Sequence, residues 1–155
     1  MRMSLNLNRI QIMVDNKLMD NFKTVLRKEG FKITPQRIAV LKEVIKDKGH
    51  RESEEIYLAI KSGKTYVSRA TVYRTLNILV QNQFVRKLNF GDGKARYESK
   101  INSEHHDHLV CIICRKIIEF VDLDIEMLQE KIANKYQFSL KRHVHQLFGI
   151  CKECR

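Results

Sequence analysis

The sequence predicts an α+β protein with two parts, a helical N-terminal part that ends in a β-hairpin and a smaller α/β C-terminal part. Four amphipathic helical patterns precede residue 84, and two runs of strand composition then flank a Gly-Asp-Gly turn. Beyond this hairpin, strand and helix patterns lie between two C-x-x-C pairs. Two such pairs are typical of tetrahedral zinc, so we expect a four-cysteine zinc site in the second part.

Positive charge is concentrated in the first part of the chain. The net charge is +11, with 18 Lys and Arg against 8 Asp and Glu in residues 1–90, and 11 against 10 in residues 91–155. This asymmetry indicates a nucleic-acid-binding part joined to a part with another role, although a well-solvated basic surface would give the same counts. No apolar run reaches membrane-spanning length and no export signal is visible, so we expect a soluble cytoplasmic protein without a membrane partner.

Apolar spacing and cap residues predict the first three helices, which follow an N-terminal extension over residues 1–14. The first helix is expected to end at Gly30, because glycine is a frequent helix stop. Thr34, with proline directly after it, is a typical N-cap for the second helix, which we expect to end at Gly49. The third helix begins in an acidic turn and is expected to end at Gly63.

The fourth helix is the candidate DNA-reading element. Ser68 is its expected N-cap, and apolar residues at helical spacing define its buried face. The polar residues that face away from this stripe are Arg69, Tyr73, Arg74 and Asn77. Arginine can bridge guanine and asparagine can bridge adenine in a major groove. An ordinary solvated helix face has a similar composition, but the three preceding helices and the basic charge favour DNA.

A β-hairpin follows the fourth helix. Residues 84–90 have strand composition, residues 91–94 form a turn, and residues 95–98 return as a second strand. Helices followed by such a hairpin make a winged helix. We therefore predict a winged-helix DNA-binding domain over residues 15–99 and a polar hinge over residues 100–104.

Residues 105–155 are predicted to form a small metal-binding α/β domain. Strand patterns at residues 109–111 and 117–120 precede a helix capped by Asp122, and residues 138–148 supply a third strand. The apolar residues that share one face of this helix are Ile125, Leu128 and Ile132. So few elements cannot bury both faces of a sheet, and we expect a partner subunit to complete the domain.

The cysteines lie in two matched pairs, Cys111 with Cys114 and Cys151 with Cys154. Four thiolates suit structural zinc. Two disulfides or a redox dithiol are the alternatives. Disulfides need an oxidising compartment, and a thioredoxin-like dithiol needs one C-x-x-C pair in a βαβ unit, so zinc is favoured.

Directly before the first pair, the chain reads His105-His106-Asp107-His108. If this segment enters a strand, His106 and His108 lie on one face, and His105 and Asp107 lie on the other. One short segment would then supply two separate metal sites. Imidazole and carboxylate ligands without sulfur suit Fe²⁺, Mn²⁺, Co²⁺ or Zn²⁺ with little selectivity.

These motifs, together with Glu119-Phe120 and His143, resemble the ferric uptake regulator family of metal-dependent bacterial repressors over about residues 20–155. The segment Ala-Thr-Val-Tyr-Arg-Thr-Leu in the fourth helix is similar to the family's recognition-helix signature. The resemblance implies a homodimer that binds double-stranded DNA at an AT-rich inverted repeat. It also implies that Tyr73 and Arg74 contact the DNA and that Lys32 reaches an adjacent minor groove.

The resemblance further implies two metal sites beside the zinc. The regulatory site, which bridges the two domains, falls on His50, Glu98, His106, His108 and Glu119. The second site, in the dimerisation domain, falls on His105, Asp107, Glu126 and His143. The implied regulatory ion is Fe²⁺, with Mn²⁺ or Zn²⁺ accepted in vitro. Metal shared across the hinge would favour the DNA-binding arrangement.

We therefore expect an Fe²⁺-dependent repressor of iron-uptake genes, with no enzymatic activity and no small-molecule substrate. Peroxide sensors of the same family typically have aspartate where this chain has Glu98 and Glu119, and zinc- and nickel-uptake regulators are further alternatives. A metal-dependent hydrolase would need an open coordination position and a general base, and we find no H-E-x-x-H helix. Arg115 stands where the family usually has glycine, at the turn beside the first cysteine pair.

Overall fold

The computed structural model divides the chain into two compact units, which we call unit 1 (Met1–Asn102) and unit 2 (Ser103–Arg155). The residues it describes are 16–47, 49–63, 65–101 and 105–155. The predicted N-terminal extension, the predicted helix start at residue 15, and residues 102–104 of the predicted hinge lie outside the described residues. Each unit has its own three-stranded sheet. Among the described residues, no helix is long and apolar enough to cross a membrane.

Four helices form most of unit 1. They are α1 (16–28), α2 (Pro35–Lys46), α3 (Ser53–Lys61) and α4 (Arg69–Gln81). The predicted caps are confirmed, because the Thr34 hydroxyl accepts a hydrogen bond from the Arg37 N–H, and the Ser68 hydroxyl accepts one from the Thr71 N–H. The predicted end of α2 at Gly49 is wrong. Asp47 already takes an extended conformation, so the helix ends at Lys46.

The sheet of unit 1 contains one strand that the sequence did not predict. Its strands are β1 (Arg51–Glu52), β2 (Val85–Asn89) and β3 (Ala95–Ser99), in the order β1-β3-β2 with both pairings antiparallel. β2 and β3 are the predicted hairpin. β1 pairs Arg51 with Tyr97, so the residue before β1, His50, comes beside Glu98 of β3.

The apolar core of unit 1 lies between its helices and its sheet. Fully or almost fully buried side chains from every helix meet there, among them Phe22, Leu26, Leu41, Ile56, Leu76 and Leu79. The apolar spacing of α4 predicts a buried face of Val72, Leu76, Leu79 and Val80, and all of these are buried except Val80, which is only partly buried. With one face of α4 fixed in the core, its opposite face is left towards solvent.

Unit 2 is an α/β arrangement around one short strand. Its elements are β4 (Asp107–Cys111), β5 (Ile117–Phe120), α5 (Leu123–Lys135), β6 (Gln146–Gly149) and a 3₁₀ turn (Lys152–Cys154). β4 is the central strand, antiparallel to β5 and parallel to β6. The predicted third strand over residues 138–148 is wrong except at its end. β6 begins only at Gln146, which lies opposite His108 of β4, so residues 138–145 are not part of the strand.

The helix α5 begins as predicted, with the Asp122 carboxylate accepting hydrogen bonds from the N–H groups of Asp124 and Ile125. Its apolar face, however, is largely exposed among the described residues of unit 2. Leu128 is 56% exposed and Ile132 is 58% exposed, and Ala133 is the only residue of α5 that is buried. The predicted apolar stripe is therefore present without a partner surface inside unit 2.

Candidate metal centres and DNA-binding face

Four sulfur atoms converge in unit 2. Cys111 and Cys114 flank the turn after β4, and Cys151 and Cys154 flank the C-terminal 3₁₀ turn. All four are free cysteines whose Sγ atoms lie within 4.8 Å of one another, with 3.7 Å between Cys114 and Cys151. Zinc–sulfur bonds of about 2.3 Å place tetrahedral sulfurs roughly 3.8 Å apart, whereas a disulfide needs about 2.0 Å. The sulfur arrangement therefore fits structural zinc.

The polypeptide backbone around this cluster favours a thiolate. Hydrogen bonds from the backbone N–H groups of Cys151 and Cys114 lower the pKa of the Cys111 thiol to about 6. Hydrogen bonding with the Glu153 side chain, followed by burial, raises the pKa of the Cys151 thiol. Because the thiolate is the metal ligand, the first cysteine of the cluster is ready to bind while Cys151 must lose its proton on binding.

A second cluster in unit 2 combines two imidazoles and two carboxylates. We call it the β4–α5 cluster, and its residues are His105, Asp107, Glu126 and His143. His105 lies just before β4 and Asp107 is its first residue, the first turn of α5 supplies Glu126, and the segment before β6 supplies His143. One donor atom from each lies within 4.8 Å of the others. This set of nitrogen and oxygen donors suits a divalent transition metal.

The distances within the β4–α5 cluster also fit a metal. His105 Nε2 lies 3.1 Å from Glu126 Oε1, and His143 Nε2 lies 3.4 Å from Asp107 Oδ1 and 3.5 Å from Glu126 Oε1. His143 Nε2 is buried and has no hydrogen-bond partner in the part of the chain that the structure describes. A buried nitrogen that faces two carboxylate oxygens without a hydrogen bond is well placed to bind a cation.

The opposite face of the same segment holds His106 and His108. Their rings are 5.0 Å apart between centroids, and His106 Nε2 lies 3.9 Å from Glu119 Oε1. Glu119 stands opposite His108 in the β4–β5 register. The alternation predicted for this segment is thus observed within unit 2.

Unit 1 holds the two other residues predicted for the regulatory site, His50 and Glu98. His50 Nε2 lies 3.7 Å from Glu98 Oε2, and Arg86 Nη1 lies 3.6 Å from Glu98 Oε1. The Glu98 side chain is only 3% exposed. A carboxylate is costly to bury without polar or charged partners, and here the Arg86 guanidinium and the His50 ring lie close to it.

The exposed face of α4 is basic and polar, as predicted. Tyr73 is 51% exposed, Arg74 is exposed and Asn77 is partly exposed. Arg69 differs from these residues, because its guanidinium donates two short hydrogen bonds to Glu54, at 2.8 Å from Nε and 2.6 Å from Nη2. Its guanidinium also lies 4.3 Å above the ring of Tyr57. Arg69 is therefore engaged inside unit 1, whereas Arg74 is available to a ligand.

Lys32 lies in the loop before α2 and is exposed. Arg37 organises this loop. Its guanidinium donates a hydrogen bond to the carbonyl oxygen of Lys32 and lies 5.2 Å from the centre of the Phe31 ring. The loop that presents Lys32 is thus fixed by the first turn of α2.

One residue beside the β4–α5 cluster was not predicted from the sequence. His145 Nδ1 lies 3.1 Å from the outer oxygen, Oδ2, of Asp107. The signal was present in the sequence, because His143 and His145 alternate directly before a strand and so lie on the same side of the chain.

A winged-helix unit with an open basic helix face, joined to a unit with metal-ligand clusters, is the arrangement of a metal-responsive transcriptional regulator. The model of the ferric uptake regulator family matches residues 28–148, and the chain belongs to this family. Members of the family are transcription regulators.

Individual relatives agree with this assignment. The ferric uptake regulation protein of Campylobacter upsaliensis is 42% identical over 139 residues, which is 88% of each chain. The peroxide-responsive repressor PerR of Staphylococcus epidermidis is 30% identical over 142 residues, or 92% of this chain and 93% of that protein. The solved structure of the Helicobacter pylori ferric uptake regulator, which reveals three functional metal binding sites, matches with a TM-score of 0.83 and 35% identity, covering 90% of this chain and 93% of that one.

Proposed function

We propose that this chain is an Fe²⁺-dependent repressor of iron-uptake genes that acts in the cytoplasm as a homodimer on double-stranded DNA. The observation that carries the proposal is the division of imidazole and carboxylate donors between the two units. Unit 1 supplies His50 and Glu98, and unit 2 supplies His106, His108 and Glu119. The relatives named for ferric uptake support iron as the regulatory ion.

The proposed mechanism couples metal binding to the arrangement of the two units. A divalent cation held by donors from both units would link them by coordination bonds. His50 directly precedes β1 and Glu98 lies within β3, so both lie at the sheet of unit 1, the unit that also contains α4. Shared coordination would therefore fix the position of α4 relative to unit 2. DNA binding then no longer bears the full entropy of ordering the hinge, and the coupling is reciprocal.

The zinc and the second site have a different role in this proposal. Cys111, Cys114, Cys151 and Cys154 would hold structural zinc, and the β4–α5 cluster would hold a further divalent ion. Neither set includes a residue of unit 1. We therefore assign the stability of unit 2 to the zinc and the metal response to the donors divided between the units.

The proposed DNA interface is the exposed face of α4. Arg74 and Asn77 would meet base edges and Tyr73 would meet bases or phosphates, while Lys32 would reach the neighbouring minor groove. Arg69 would contact phosphate only after its hydrogen bonds with Glu54 rearrange. A two-fold symmetric dimer would place two such helices on an inverted repeat, and an AT-rich sequence would suit a lysine in a narrow minor groove.

The exposed apolar surface of unit 2 supports the proposed homodimer. Leu109 of β4 pairs in register with Ile118 of β5 and with Leu147 of β6, and these three side chains are 40%, 45% and 43% exposed. They form an apolar row across the whole sheet, which monomeric proteins rarely leave in water. A second copy that covers this row and the apolar face of α5 would complete the fold of unit 2.

Peroxide sensing is the second candidate, because the chain is also similar to a peroxide-responsive repressor. Peroxide sensors of the family typically have aspartate at the positions of Glu98 and Glu119. Both positions are glutamate in this chain, which supports metal sensing as the main function. Nothing in the proposed mechanism requires an enzymatic step or a small-molecule substrate.

The proposal is tested by the affinity for operator DNA, measured in metal-chelated buffer against increasing Fe²⁺ or Mn²⁺. We expect the metal to raise the affinity of the wild type by about 5- to 150-fold, since allosteric coupling is typically about 1–3 kcal/mol. His50→Ala and His108→Ala should both lose this increase, because each removes a donor from one of the two units. Zinc content and the dimer should stay unchanged.

Two controls distinguish metal sensing from DNA contact. Arg74→Ala should weaken operator binding at every metal concentration without moving the metal concentration of half response. Asp107→Ala should alter stability or the metal threshold while the response is retained. If His50→Ala responds fully and Asp107→Ala does not, the sensing site lies inside unit 2 and the proposed coupling is wrong.

A further inference from the structure

We propose that His145 is a positioning residue for the β4–α5 cluster. Its Nδ1–H would hold the Asp107 carboxylate in the orientation that directs one oxygen into the cluster. This inference rests on the proposed metal site of unit 2, and it assigns a role to a residue outside the four donors. The Asp107 side chain that His145 contacts is only 2% exposed.

The two oxygens of Asp107 have different neighbours. Oδ1 lies 3.4 Å from His143 Nε2 and 3.5 Å from His105 Nε2, so it faces the cluster. Oδ2 lies 3.1 Å from His145 Nδ1, on the outer side. The carboxylate is thereby divided between a metal-facing oxygen and a hydrogen-bonded oxygen, which is the usual arrangement of a ligand that binds through one oxygen.

The protonation of the ring follows from the chemistry of its partner. An ionised carboxylate only accepts hydrogen bonds, so His145 must carry its proton on Nδ1 when it contacts Asp107 Oδ2. A ring with its proton on Nδ1 donates to Asp107 Oδ2 and leaves Oδ1 to the cation. The hydrogen bond also restricts rotation of the carboxylate, which would otherwise be able to turn Oδ1 out of the cluster.

The fold fixes His145 beside Asp107 through the β4–β6 pairing. The parallel register places His108 opposite Gln146, and the His108 N–H donates to the His145 carbonyl oxygen at 3.3 Å. One residue earlier in both segments, Asp107 and His145 become neighbours. Phe120 of β5, which lies opposite Asp107 in the β4–β5 register, contacts the His145 ring edge to face, with centroids 6.0 Å apart. Backbone pairing and an aromatic contact thus hold the donor in place.

The test measures Co²⁺ binding to the full chain, with zinc already in the cysteine site. A His50→Ala background removes a proposed regulatory donor, so that the β4–α5 cluster is observed by itself. Three variants are compared in this background: His145→Leu, His145→Asn and His145→Gln. Asparagine carries a nitrogen at the position of Nδ1, whereas the glutamine nitrogen lies one bond further out, so these two polar side chains form a matched pair.

We expect His145→Leu and His145→Gln to weaken Co²⁺ binding about ten- to hundredfold, the usual effect of losing a hydrogen bond to a metal ligand. His145→Asn should restore most of the affinity. The visible absorption spectrum of bound Co²⁺ should keep its shape in all three variants, because the number and type of ligands do not change. Zinc content and far-UV circular dichroism verify that each variant is folded.

Equal Co²⁺ affinity in the asparagine and glutamine variants would overturn the positioning role, and so would unchanged affinity in His145→Leu. A changed Co²⁺ spectrum would also overturn it, since His145 would then be a direct ligand. Failure of the underlying site gives a different result: His143→Ala would bind Co²⁺ as tightly as its parent. The proposed cluster would then be wrong, independently of His145.

Discussion

Among the described residues, seventeen of the twenty buried apolar side chains belong to unit 1, and three belong to unit 2. The exposed large apolar side chains are distributed the other way, with five in unit 1 and sixteen in unit 2. The three of unit 2 include Cys111 of the cysteine cluster, and this unit also buries the polar side chains Asp107 and His108. The two units of one chain are therefore stabilised by different interactions.

The comparison shows what a very small unit needs in order to fold. A unit of roughly fifty residues buries too little surface to offset its conformational entropy unless a metal, a disulfide or a partner contributes. Unit 1 has enough helices to enclose an apolar core. We expect unit 2 to depend on its cysteine site and on a second copy, and therefore to respond to changes that leave unit 1 unaffected.

The largest expected effect comes from removing a zinc ligand. Cys111→Ser should abolish zinc binding, unfold unit 2 and dissociate the dimer, because structural zinc contributes on the order of 10 kcal/mol in small domains. Unit 1 should keep its own cooperative unfolding transition. Zinc content, sedimentation and circular dichroism measure these three results. Ile113→Ser changes an exposed residue of the same turn and should keep its zinc. A stable dimer without zinc would show that unit 2 does not depend on the cysteine site.

Apolar truncations should act differently in the two units. Leu41→Ala removes a fully buried side chain of unit 1 and should lower the free energy of unfolding by about 2–5 kcal/mol. Ile118→Ala should weaken the dimer by about 2 kcal/mol, on the order of 30-fold, because each of two subunits loses apolar contact. Unfolding by denaturant and analytical ultracentrifugation measure the two quantities. Leu58→Ala, at an exposed position of unit 1, is the control and should change neither. An unchanged dimer in Ile118→Ala would show that the apolar row is not the interface.

The smallest expected effect concerns backbone strain. Arg115 has a φ of +64°, a left-handed conformation that favours glycine, so Arg115→Gly should stabilise unit 2 by about 1 kcal/mol. Gln83 has a φ of +63° in unit 1, but Gln83→Gly also removes the hydrogen bond from Lys100 and should gain less. Resistance of the zinc to chelation reports on the first variant, and the free energy of unfolding of unit 1 reports on the second. Lys116→Gly is the adjacent control, and an equal gain there would exclude strain as the cause.

Much of the fold is determined by local sequence. Thr34, Ser68 and Asp122 were predicted as N-caps and are observed as such, because each bonds to N–H groups two or three residues away. The hairpin and the fold class are also confirmed. The spacing within each C-x-x-C pair predicts a metal-binding turn, because both ligands lie in one short segment. The division of His106 and His108 from His105 and Asp107 follows from strand alternation alone.

The tertiary structure decided what depends on distant residues. β1 has only two residues, too few to show any periodicity, yet its pairing with β3 brings His50 beside Glu98. β6 begins only at Gln146, where its pairing with β4 starts opposite His108, so the predicted third strand was too long. The ligand assignments of the regulatory site stay predictions, because their donors belong to separate units.

His145 and α5 show the same limit. A histidine before a strand has many possible neighbours, and only the β4–β6 register places it at the outer oxygen of Asp107. The apolar spacing of α5 predicted a helix with one apolar face. Spacing does not determine whether that face is covered by the same chain or by another. Helical and strand periods arise from backbone geometry over a few residues, so the sequence alone shows them. Strand register, burial and the residues that position a metal ligand depend instead on contacts between segments far apart in the sequence.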